Sequence, residues 1–430
     1  MAAQVKDKGQ VRNDLPGGGR ESATGWLLIA LAAAAATPWM AVWLLGAHPG
    51  PLTTAALAGA AILGAAFLLS WAAEAFQMDV SQALGLGLLA LIAVLPEYAV
   101  DAAFAWRAAQ DPAFAPYAIA NMTGANRLLI GAGWSAVVLL VWLRTGARAV
   151  HLEFGNAVEL LVLLAATVYA FFIAWKGELG VFDTVVLGAM FVAYFWASSR
   201  APAEQPHLVG PALTIGALTP ARRRAVTYAI FIFAAAAILI AAEPFAHGLV
   251  QAGTDLGIDE FLLVQWLAPL ASEAPEFIVA LLFAWRAQAS AGLRTLVASK
   301  VNQWTLLVAT LPVVYSIGRG QIAALPLDER QVQEIFLTAA QSVLATFMLL
   351  NFSLGLAEAV VLLVLFMIQL VVPTPEVRWL TTIVYLILAL VLVVIRPEVR
   401  DGLSRLPERA RAVTRVPAPP QEDGEGPRER

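Results

Sequence analysis

Long apolar runs recur along this chain of 430 residues, from Gly25 to Ile395. A helix needs about 20 apolar residues to cross the hydrocarbon core of a bilayer, and the sequence offers about twelve such runs. Transmembrane β-strands would instead give short alternating segments, which the sequence lacks. We therefore predict an all-α polytopic membrane protein. The predicted spans are 25–46, 51–75, 80–106, 117–143, 156–175, 181–198, 225–248, 258–286, 293–317, 332–352, 355–373 and 379–396.

The composition narrows the possible function classes. Charged residues make up 13% of the chain and hydrophobic residues 60%, whereas a soluble protein carries about 25% charged residues. The lack of cysteine excludes disulfides and thiol chemistry, and a net charge of −4 gives no reason to expect a nucleic-acid partner. The sequence has no nucleotide-binding loop, nucleophile triad or histidine-rich metal motif. We expect neither enzyme activity nor a cofactor, and no ATP-driven pump.

Three polar segments flank or divide the apolar runs. Residues 1–24 form a predicted cytoplasmic tail, residues 199–224 a cytoplasmic linker, and residues 397–430 a disordered cytoplasmic tail. Arginine is concentrated in the loops that face inward if the N-terminus is inside, which fixes the predicted orientation. We therefore predict a multi-pass protein of a bacterial-type plasma (inner) membrane with both termini in the cytoplasm. The inner-loop arginines are Arg144, Arg148, Arg200, Arg222, Arg223, Arg224 and Arg294.

One sequence pattern occurs twice. The stretch LPEYAVDAAFAWRAAQ contains Glu97, and the stretch APEFIVALLFAWRAQA contains Glu276. An offset of 179 residues aligns the two glutamates and keeps Phe-Ala-Trp-Arg-Ala in register. The repeat extends over residues 51–198 and 225–373, with five predicted spans in each copy. Because five is odd, the two copies insert with opposite orientations, which is a common architecture of secondary transporters.

Glu97 and Glu276 lie in strongly apolar surroundings. A charged residue at the bilayer centre costs about 3 kcal/mol, so such residues usually face a polar interior or an ion pathway. Each glutamate follows a proline, which removes a backbone N–H and frees a carbonyl oxygen one turn earlier. Carboxylate and carbonyl oxygens are the ligands that hard cations prefer. Two such sites, related by the repeat, would form one central pocket for a cation or a proton.

Further polar residues accompany both glutamates. Asp101 lies one turn after Glu97, and Glu273 lies one turn before Glu276, each on the same helix face as its neighbour. The next predicted span contains a polar cluster in each copy, ANMTGAN in the first and ASKVNQWT in the second. The candidate ion- or proton-binding residues in these clusters are Thr123, Asn126, Ser299, Lys300, Asn302 and Thr305.

These motifs resemble the calcium/cation antiporter superfamily, which includes the sodium/calcium exchangers. Members of that superfamily have two inverted five-helix halves, each with a GTSLPE motif followed by a Gly-Ser-Asn cluster on the next helix. The matching stretches here are IAVLPE and LASEAPE, followed by TGAN and SKVN. The resemblance covers both copies of the repeat. It implies exchange of cations by alternating access, with Glu97 and Glu276 as the central ligands of the transported cation.

Several positions depart from the family pattern. Ala93 and Val94 replace the hydroxyl residues before the first Pro-Glu, whereas the second copy has Ser272 and Glu273 there. Ser272 therefore joins the candidate site residues. Lys300 occupies the position of the family's glycine. Calcium takes roughly six to eight oxygen ligands, so the loss of oxygen ligands favours a monovalent cation.

The resemblance and the departures together predict a secondary-active antiporter that exchanges Na⁺ or K⁺, and less readily Ca²⁺, for protons. In this prediction the Lys300 ammonium replaces one cation by pairing with a carboxylate, and its deprotonation couples transport to protons. A Na⁺/Ca²⁺ or Ca²⁺/H⁺ exchanger is one alternative. Others are an uncoupled ion leak channel and a non-transporting scaffold whose site a Lys300 salt bridge closes. The expected partners are inorganic cations, protons and the lipid bilayer.

Some features allow two interpretations. Arg127 lies inside an apolar run and either extends to the membrane surface or pairs with an acid. Glu334 and Gln341 line either the scaffold of the bundle or a vestibule. The predicted helices 25–46 and 379–396 lie outside the repeats and either pack at the interface of a homo-oligomer or brace the bundle.

Overall fold

A computed structural model describes residues 19–79, 94–200, 208–286 and 288–415. Within these residues, helices occupy all twelve predicted positions, although the third is described only from Leu95 onward. The elements are α1 (Gly19–Leu44), α2 (Pro51–Phe76), α3 (Leu95–Gln110), α4 (Ala115–Leu128), α5 (Ser135–Thr145), β1 (Ala149–His151), α6 (Ala157–Lys176), β2 (Glu178–Leu179), α7 (Val181–Ser198), α8 (Pro211–Gly216), α9 (Pro220–Leu256), α10 (Glu260–Trp285), α11 (Ala289–Asn302), α12 (Val308–Arg319), β3 (Leu325–Pro326), α13 (Glu329–Met348), β4 (Ser353–Gly355), α14 (Leu356–Val371), α15 (Pro375–Ile395) and α16 (Pro397–Arg415).

The helices form an apolar bundle whose outer surface is also apolar. Nine helical stretches among the described residues are long and apolar enough to cross a membrane. Large apolar side chains such as Leu45, Trp175 and Val371 face outward and are at least 70% exposed. A soluble protein would expose such a surface only at an interface. The predicted all-α membrane architecture is confirmed.

Two short antiparallel strand pairs establish the relation between the two copies of the repeat. β1 follows the third span of the first copy and pairs with β4, which follows the fourth span of the second copy. β2 follows the fourth span of the first copy and pairs with β3, which follows the third span of the second copy. Corresponding loops of the two copies therefore lie at opposite ends of the bundle, which we name the β1–β4 end and the β2–β3 end. The predicted inversion of the repeat is confirmed.

Irregular turns also recur in both copies. A π turn over Leu129–Trp134 joins α4 to α5, and a π turn over Gln303–Leu307 joins α11 to α12. The first turn begins shortly after the first predicted polar cluster, and the second turn includes Gln303 and Thr305 of the second cluster. A π turn shifts the helical hydrogen-bond register and often marks a functional site. The helices that carry the candidate residues are therefore interrupted at matching places.

The predicted disordered tail over residues 397–430 is partly wrong, because residues 397–415 form the helix α16. Its apolar residues recur at helical spacing and pack against the bundle, with Leu406 only 1% exposed. In the sequence this spacing is hard to recognise, because arginine, proline and glutamate dominate the composition and suggest a disordered tail. Residues 416–430 lie outside the described residues.

Helical structure also extends into the predicted linker over residues 199–224. α8 lies within it, and α9 begins at Pro220 because proline suits the first turn of a helix. Residues 201–207 lie outside the described residues. The predicted tail over residues 1–24 is shorter than expected, because α1 already begins at Gly19.

An ion pair joins the end of α2 to the start of α9. Arg223 donates hydrogen bonds of 2.6 Å and 2.8 Å to the two carboxylate oxygens of Asp79. Arg224 Nε lies 3.1 Å from Asp79 Oδ1. The hydrogen bonds from Arg223 hold the pKa of Asp79 below its ordinary value.

We expect Asp79→Asn to lower the Tm of the solubilised protein at pH 7. A carboxyl group whose pKa is lowered by folding stabilises the fold above its unfolded pKa, about 3.9 for aspartate, and this contribution is lost as the pH falls through the folded pKa. The loss of Tm should therefore shrink below about pH 4. Thermal melts of both proteins across this range check the prediction, and a loss of Tm that is independent of pH would contradict it.

Single introduced cysteines test the inversion, because the chain has none of its own. His151 in β1 and Glu178 in β2 are exposed at opposite ends of the bundle. We expect His151→Cys to react with an impermeant maleimide in inside-out vesicles and Glu178→Cys in right-side-out vesicles. The reverse pattern would overturn the predicted orientation, and labelling of both from one side would overturn the inversion.

Candidate functional site

The two Pro-Glu motifs lie on different kinds of helical backbone. Pro96 occupies the first turn of α3, where its missing N–H removes no hydrogen bond. Pro275 lies inside α10, where the N–H is lost from the helical ladder. Glu97 therefore lies near a helix start and Glu276 lies in a helix interior. The packing of α3 against α10 brings the two motifs together.

Four carboxyl groups lie where α3 packs against α10. Glu97 is within electrostatic reach of Glu273, Glu276 and Asp101, and Glu273 is within reach of Glu276 and Asp101. Glu97, Asp101 and Glu273 are buried, and Glu276 is half-buried. The fold therefore brings both Pro-Glu glutamates and their acidic neighbours into one group, which we name the carboxyl cluster.

Most oxygens of the carboxyl cluster lack hydrogen bonds to the described residues. Both oxygens of Glu97, both oxygens of Glu273 and Asp101 Oδ2 have no partner there. Asp101 Oδ1 accepts a hydrogen bond of 2.7 Å from Asn121 Nδ2. The Gln303 amide lies beside Glu97 and Glu273. Because buried carboxylates without partners are costly, the cluster favours the binding of protons or cations.

The carboxyl groups approach one another without closing a coordination shell. Among the described residues, no three acidic or histidine side chains converge closely enough to hold a metal ion. The assignment of Glu97 and Glu276 as ligands of a transported cation therefore stays a prediction.

Lys300 extends from α11 toward the carboxyl cluster and is fully buried. Its Nζ donates a hydrogen bond of 2.7 Å to Asn126 Oδ1 and lies 4.3 Å from the centre of the Trp304 ring. Glu273 and Glu97 lie within its electrostatic reach. The ammonium forms no ion pair in the part of the chain that the structure describes, so the expected salt bridge is absent there. An amide oxygen and an indole ring hold it instead.

Hydrogen bonds across the two copies link the polar clusters to each other and to the first Pro-Glu helix. Lys300 of the second copy binds Asn126 of the first copy, as described above. The Tyr98 hydroxyl of the first copy donates a hydrogen bond of 3.0 Å to Asn302 Oδ1 of the second copy. Asn126 and Asn302, which occupy matching positions, thus each accept a hydrogen bond from the other copy.

The predicted hydroxyl residues are bound within their own helices. Thr123, Thr305 and Ser272 each donate to the carbonyl oxygen one turn earlier, at 2.7, 2.6 and 3.2 Å. Ser299 Oγ has no hydrogen-bond partner among the described residues. The structure therefore joins the two asparagines to the site but gives three of the four hydroxyl groups a local hydrogen bond.

Sequence reasoning missed the roles of Tyr98, Asn121 and Gln303. Asn121 opens the polar residues of the first cluster and Tyr98 follows Glu97, so both were near predicted motifs. Their direction depends on how the helices pack, which the sequence pattern does not specify. Gln303 follows Asn302 in the second copy just as Arg127 follows Asn126 in the first copy. This matching position was the sequence signal that could have pointed to Gln303.

Gly124 and Lys300 precede the two asparagines by the same distance and have opposite roles. A Cβ atom on Gly124 would lie 1.9 Å from the Gln265 carbonyl oxygen, so the backbones of α4 and α10 meet there. No side chain fits at that position in the first copy. The matching position of the second copy has room for a lysine that reaches across to Asn126.

A second buried polar group surrounds Arg127, and we name it the arginine network. Arg127 Nη2 lies 2.5 Å from Glu334 Oε2, and each side chain is 2% exposed. Arg127 Nη1 donates a hydrogen bond of 2.7 Å to Gln369 Oε1. Arg378 Nη1 lies 3.7 Å from Glu334 Oε1, and Gln341 Nε2 donates to the Arg127 carbonyl oxygen at 3.4 Å. Of the two interpretations, Arg127 pairs with an acid, and Glu334 belongs to the scaffold.

Comparison with known protein families and structures identifies relatives. A family model described as "Sodium/calcium exchanger protein" matches residues 51–200 and 226–396. The first match coincides with the first predicted copy of the repeat, and the second extends beyond residue 373 to include α15. A search of curated proteins gave no match.

Solved structures that are similar to this chain include CAX and YfkE. The H⁺/Ca²⁺ exchanger CAX is 40% identical, with 91% of this chain and 100% of that chain covered and a TM-score of 0.85. Native YfkE is 14% identical, with 84% of this chain and 99% of that chain covered and a TM-score of 0.58. The first likeness extends to sequence, whereas the second concerns the fold alone.

We expect Glu97→Gln to raise the Tm of the protein, and to raise it more at pH 9 than at pH 6. The wild type must bury an ionised carboxylate without a hydrogen-bond partner at high pH, and relief of such a penalty is worth about 1–3 kcal/mol. Thermal melts at both pH values check this. As a control, Glu243→Gln removes a half-exposed carboxylate that pairs with Arg107 at 2.5 Å, and should not raise the Tm. An unchanged or lowered Tm of Glu97→Gln at both pH values would contradict the prediction.

Proposed function

Because the chain belongs to the sodium/calcium exchanger family, we propose that it is a secondary-active antiporter that exchanges Ca²⁺ for protons by alternating access. The carboxyl cluster carries this proposal, since it joins four acidic side chains from both copies of the repeat in one buried region. Its negative charge is balanced either by a cation or by protons. Competition between the two for the same oxygens is the physical basis of exchange.

Calcium is the first candidate because of charge. Two or more ionised carboxylates in a buried region match a divalent cation better than a monovalent one. Glu97 and Glu276 would be the central ligands, with Glu273 and Asp101 close by. The relation to CAX, which is named an H⁺/Ca²⁺ exchanger, supports this choice.

Exchange of Na⁺ or K⁺ for protons is the second candidate, and Lys300 favours it. The buried ammonium supplies a fixed positive charge within reach of Glu97 and Glu273. It offsets one carboxylate, so that less cationic charge is needed to balance the cluster. In both versions, Lys300 turns from Asn126 toward Glu273 when the cation leaves.

An ion pair at one end of the bundle, whose repeat-related counterpart is not formed, supports alternating access. Arg107 pairs with Glu243 of α9 at 2.5 Å, near the β2–β3 end, where Arg319 Nη1 donates to the Ala109 carbonyl oxygen. The repeat relates this pair to Arg286 and Glu74. In the opposite conformation of the proposed cycle, the Glu74–Arg286 pair forms and the Arg107–Glu243 pair breaks.

The repeat-related pair is apart in this structure. Glu74 accepts a hydrogen bond of 3.4 Å from the Val209 N–H, and Arg286 is exposed and has no ion pair among the described residues. We further propose that the protein resides in a bacterial-type inner membrane with both termini in the cytoplasm. The Arg107–Glu243 pair then closes the outer end.

Ion flux in proteoliposomes that contain a pH-sensitive dye tests the function. We expect an inward Ca²⁺ gradient to drive protons out of wild-type liposomes, and Glu97→Gln and Glu276→Gln to reduce this to the level of empty liposomes. Glu178→Gln, which changes an exposed glutamate in β2, is the control and should transport normally.

The same assay separates the candidate cations. Proton movement with Na⁺ or K⁺ but not with Ca²⁺ would establish the second candidate. Cation conductance without proton movement would contradict antiport and indicate a leak. A wild type that moves none of the three cations would contradict the proposed function.

A further inference from the structure

Burial of the charged groups of the arginine network costs free energy. Removing two charges from water carries a large penalty, which a buried ion pair often only just offsets, so stability alone is a weak reason for such a pair. In some proteins, buried polar or ionic groups instead fix one particular arrangement of helices. The Arg127–Glu334 pair is buried in this way, with both side chains 2% exposed.

The arginine network joins the first copy of the repeat to the helices α13, α14 and α15. Arg127 of α4 contacts Glu334 of α13 and Gln369 of α14. Gln369 Nε2 donates a hydrogen bond of 3.2 Å to the Tyr385 hydroxyl of α15, and Arg378 of α15 approaches Glu334 at 3.7 Å. The helix predicted outside the repeats is therefore connected to a helix of the candidate site by polar side chains.

The network reaches the site through consecutive residues of α4. Asn126 accepts the hydrogen bond from Lys300, and Arg127 is the next residue. The π turn begins at Leu129, so the hydrogen-bond register of the helix changes directly after this pair. Arg127 contacts both Glu334 and Gln369 there, and these contacts hold the end of α4 against α13 and α14.

Among the residues that the structure describes, the second copy has no equivalent anchor. Gln303 occupies the position that matches Arg127, and its amide lies beside Glu97 and Glu273. The same position of the repeat thus serves the scaffold in the first copy and faces the carboxyl cluster in the second. This difference places the anchor next to the asparagine that holds Lys300 and leaves the other asparagine without one.

We propose that the Arg127–Glu334 pair is a positioning element of the transport site: it fixes the orientation of Asn126, and through Asn126 it holds Lys300. The expected effect on transport rests on the proposed function, whereas the expected effect on Asn126 and Lys300 does not. The charged groups within reach of Lys300 are Glu273, Glu97 and Arg127. Those that face Arg127 are Glu334 and Arg378, together with the Tyr385 hydroxyl.

The first test observes Lys300 directly. The sequence has only four lysines, Lys6, Lys8, Lys176 and Lys300, so NMR of protein labelled at the lysine ε-carbon resolves them, and Lys300→Ala assigns the buried one. The double variant Arg127→Gln/Glu334→Gln removes both charges of the pair, which buried pairs usually tolerate, and Arg378 keeps its hydrogen bonds to Gln333 Oε1 and the Pro373 carbonyl oxygen. We expect the Lys300 signal and its pH titration to move, while Lys176, which pairs with Asp183 at 2.5 Å, stays as a matched control.

The second test is ⁴⁵Ca²⁺ and ²²Na⁺ binding as a function of pH, with Arg127→Lys as the conservative variant. We expect the double variant to bind the transported cation about tenfold more weakly, as is typical when a group behind a ligand is removed, and Arg127→Lys to recover part of this loss. In a Lys300→Ala background, the double variant should cause no further change.

Two results would overturn the inference. One is a folded double variant whose Lys300 signal and titration match those of the wild type. The other is an equal loss of cation affinity in the presence and absence of Lys300, because the pair would then act independently of it. Failure of the proposed function gives a different pattern, in which wild-type protein binds no cation although its Lys300 signal still responds to the double variant.

Discussion

A carboxylate in the interior of a membrane protein is stable only with a proton, a cation or strong hydrogen bonds. Glu97 and Glu273 accept no hydrogen bond from the described residues, yet both are buried. The rest of the architecture follows from the need to bring such groups together and keep water and lipid away. Two copies of one five-helix unit, inserted in opposite directions, place each Pro-Glu motif deep in the bundle from opposite ends. The strand pairs β1–β4 and β2–β3 join the copies at both ends.

The symmetry of the repeat is broken at a few positions, and these are where the site acquires its chemistry. Gly124 lets two helix backbones meet, whereas the matching Lys300 places an ammonium near the carboxyl cluster. Arg127 turns into the scaffold, whereas the matching Gln303 faces the carboxyl groups. A symmetric site would bind in the same way from both ends. The substitutions instead give the first copy an anchor in the scaffold and the second copy a buried positive charge.

The repeat and the all-α fold could be predicted from the sequence because they depend on strong, redundant signals. Apolar runs of membrane length and a Trp-Arg pattern in register with Pro-Glu leave few alternatives. The repeat also predicted that Glu97 and Glu276 lie in one pocket. Asp101 and Glu273 could be added to it because helical spacing places each acidic pair on one helix face.

Contacts between distant helices could not be predicted in this way. The partner of Arg127 is Glu334, more than two hundred positions away, and nothing local distinguishes that glutamate from others. Lys300 was expected to pair with a carboxylate because opposite charges attract, but the fold places the Asn126 side-chain oxygen 2.7 Å from its Nζ. The helix α16 was missed because its composition resembles a disordered tail while its apolar spacing is helical.

The central claim is that the carboxyl cluster binds a cation in exchange for protons. Calorimetric titration of the purified protein with Ca²⁺ and then Na⁺, in buffers of different ionisation enthalpy, counts the protons released for each cation bound. The account predicts that the transported cation displaces at least one proton and that binding is lost in Glu97→Gln and in Glu276→Gln. Cation binding without proton release, or binding that survives both substitutions, would contradict it.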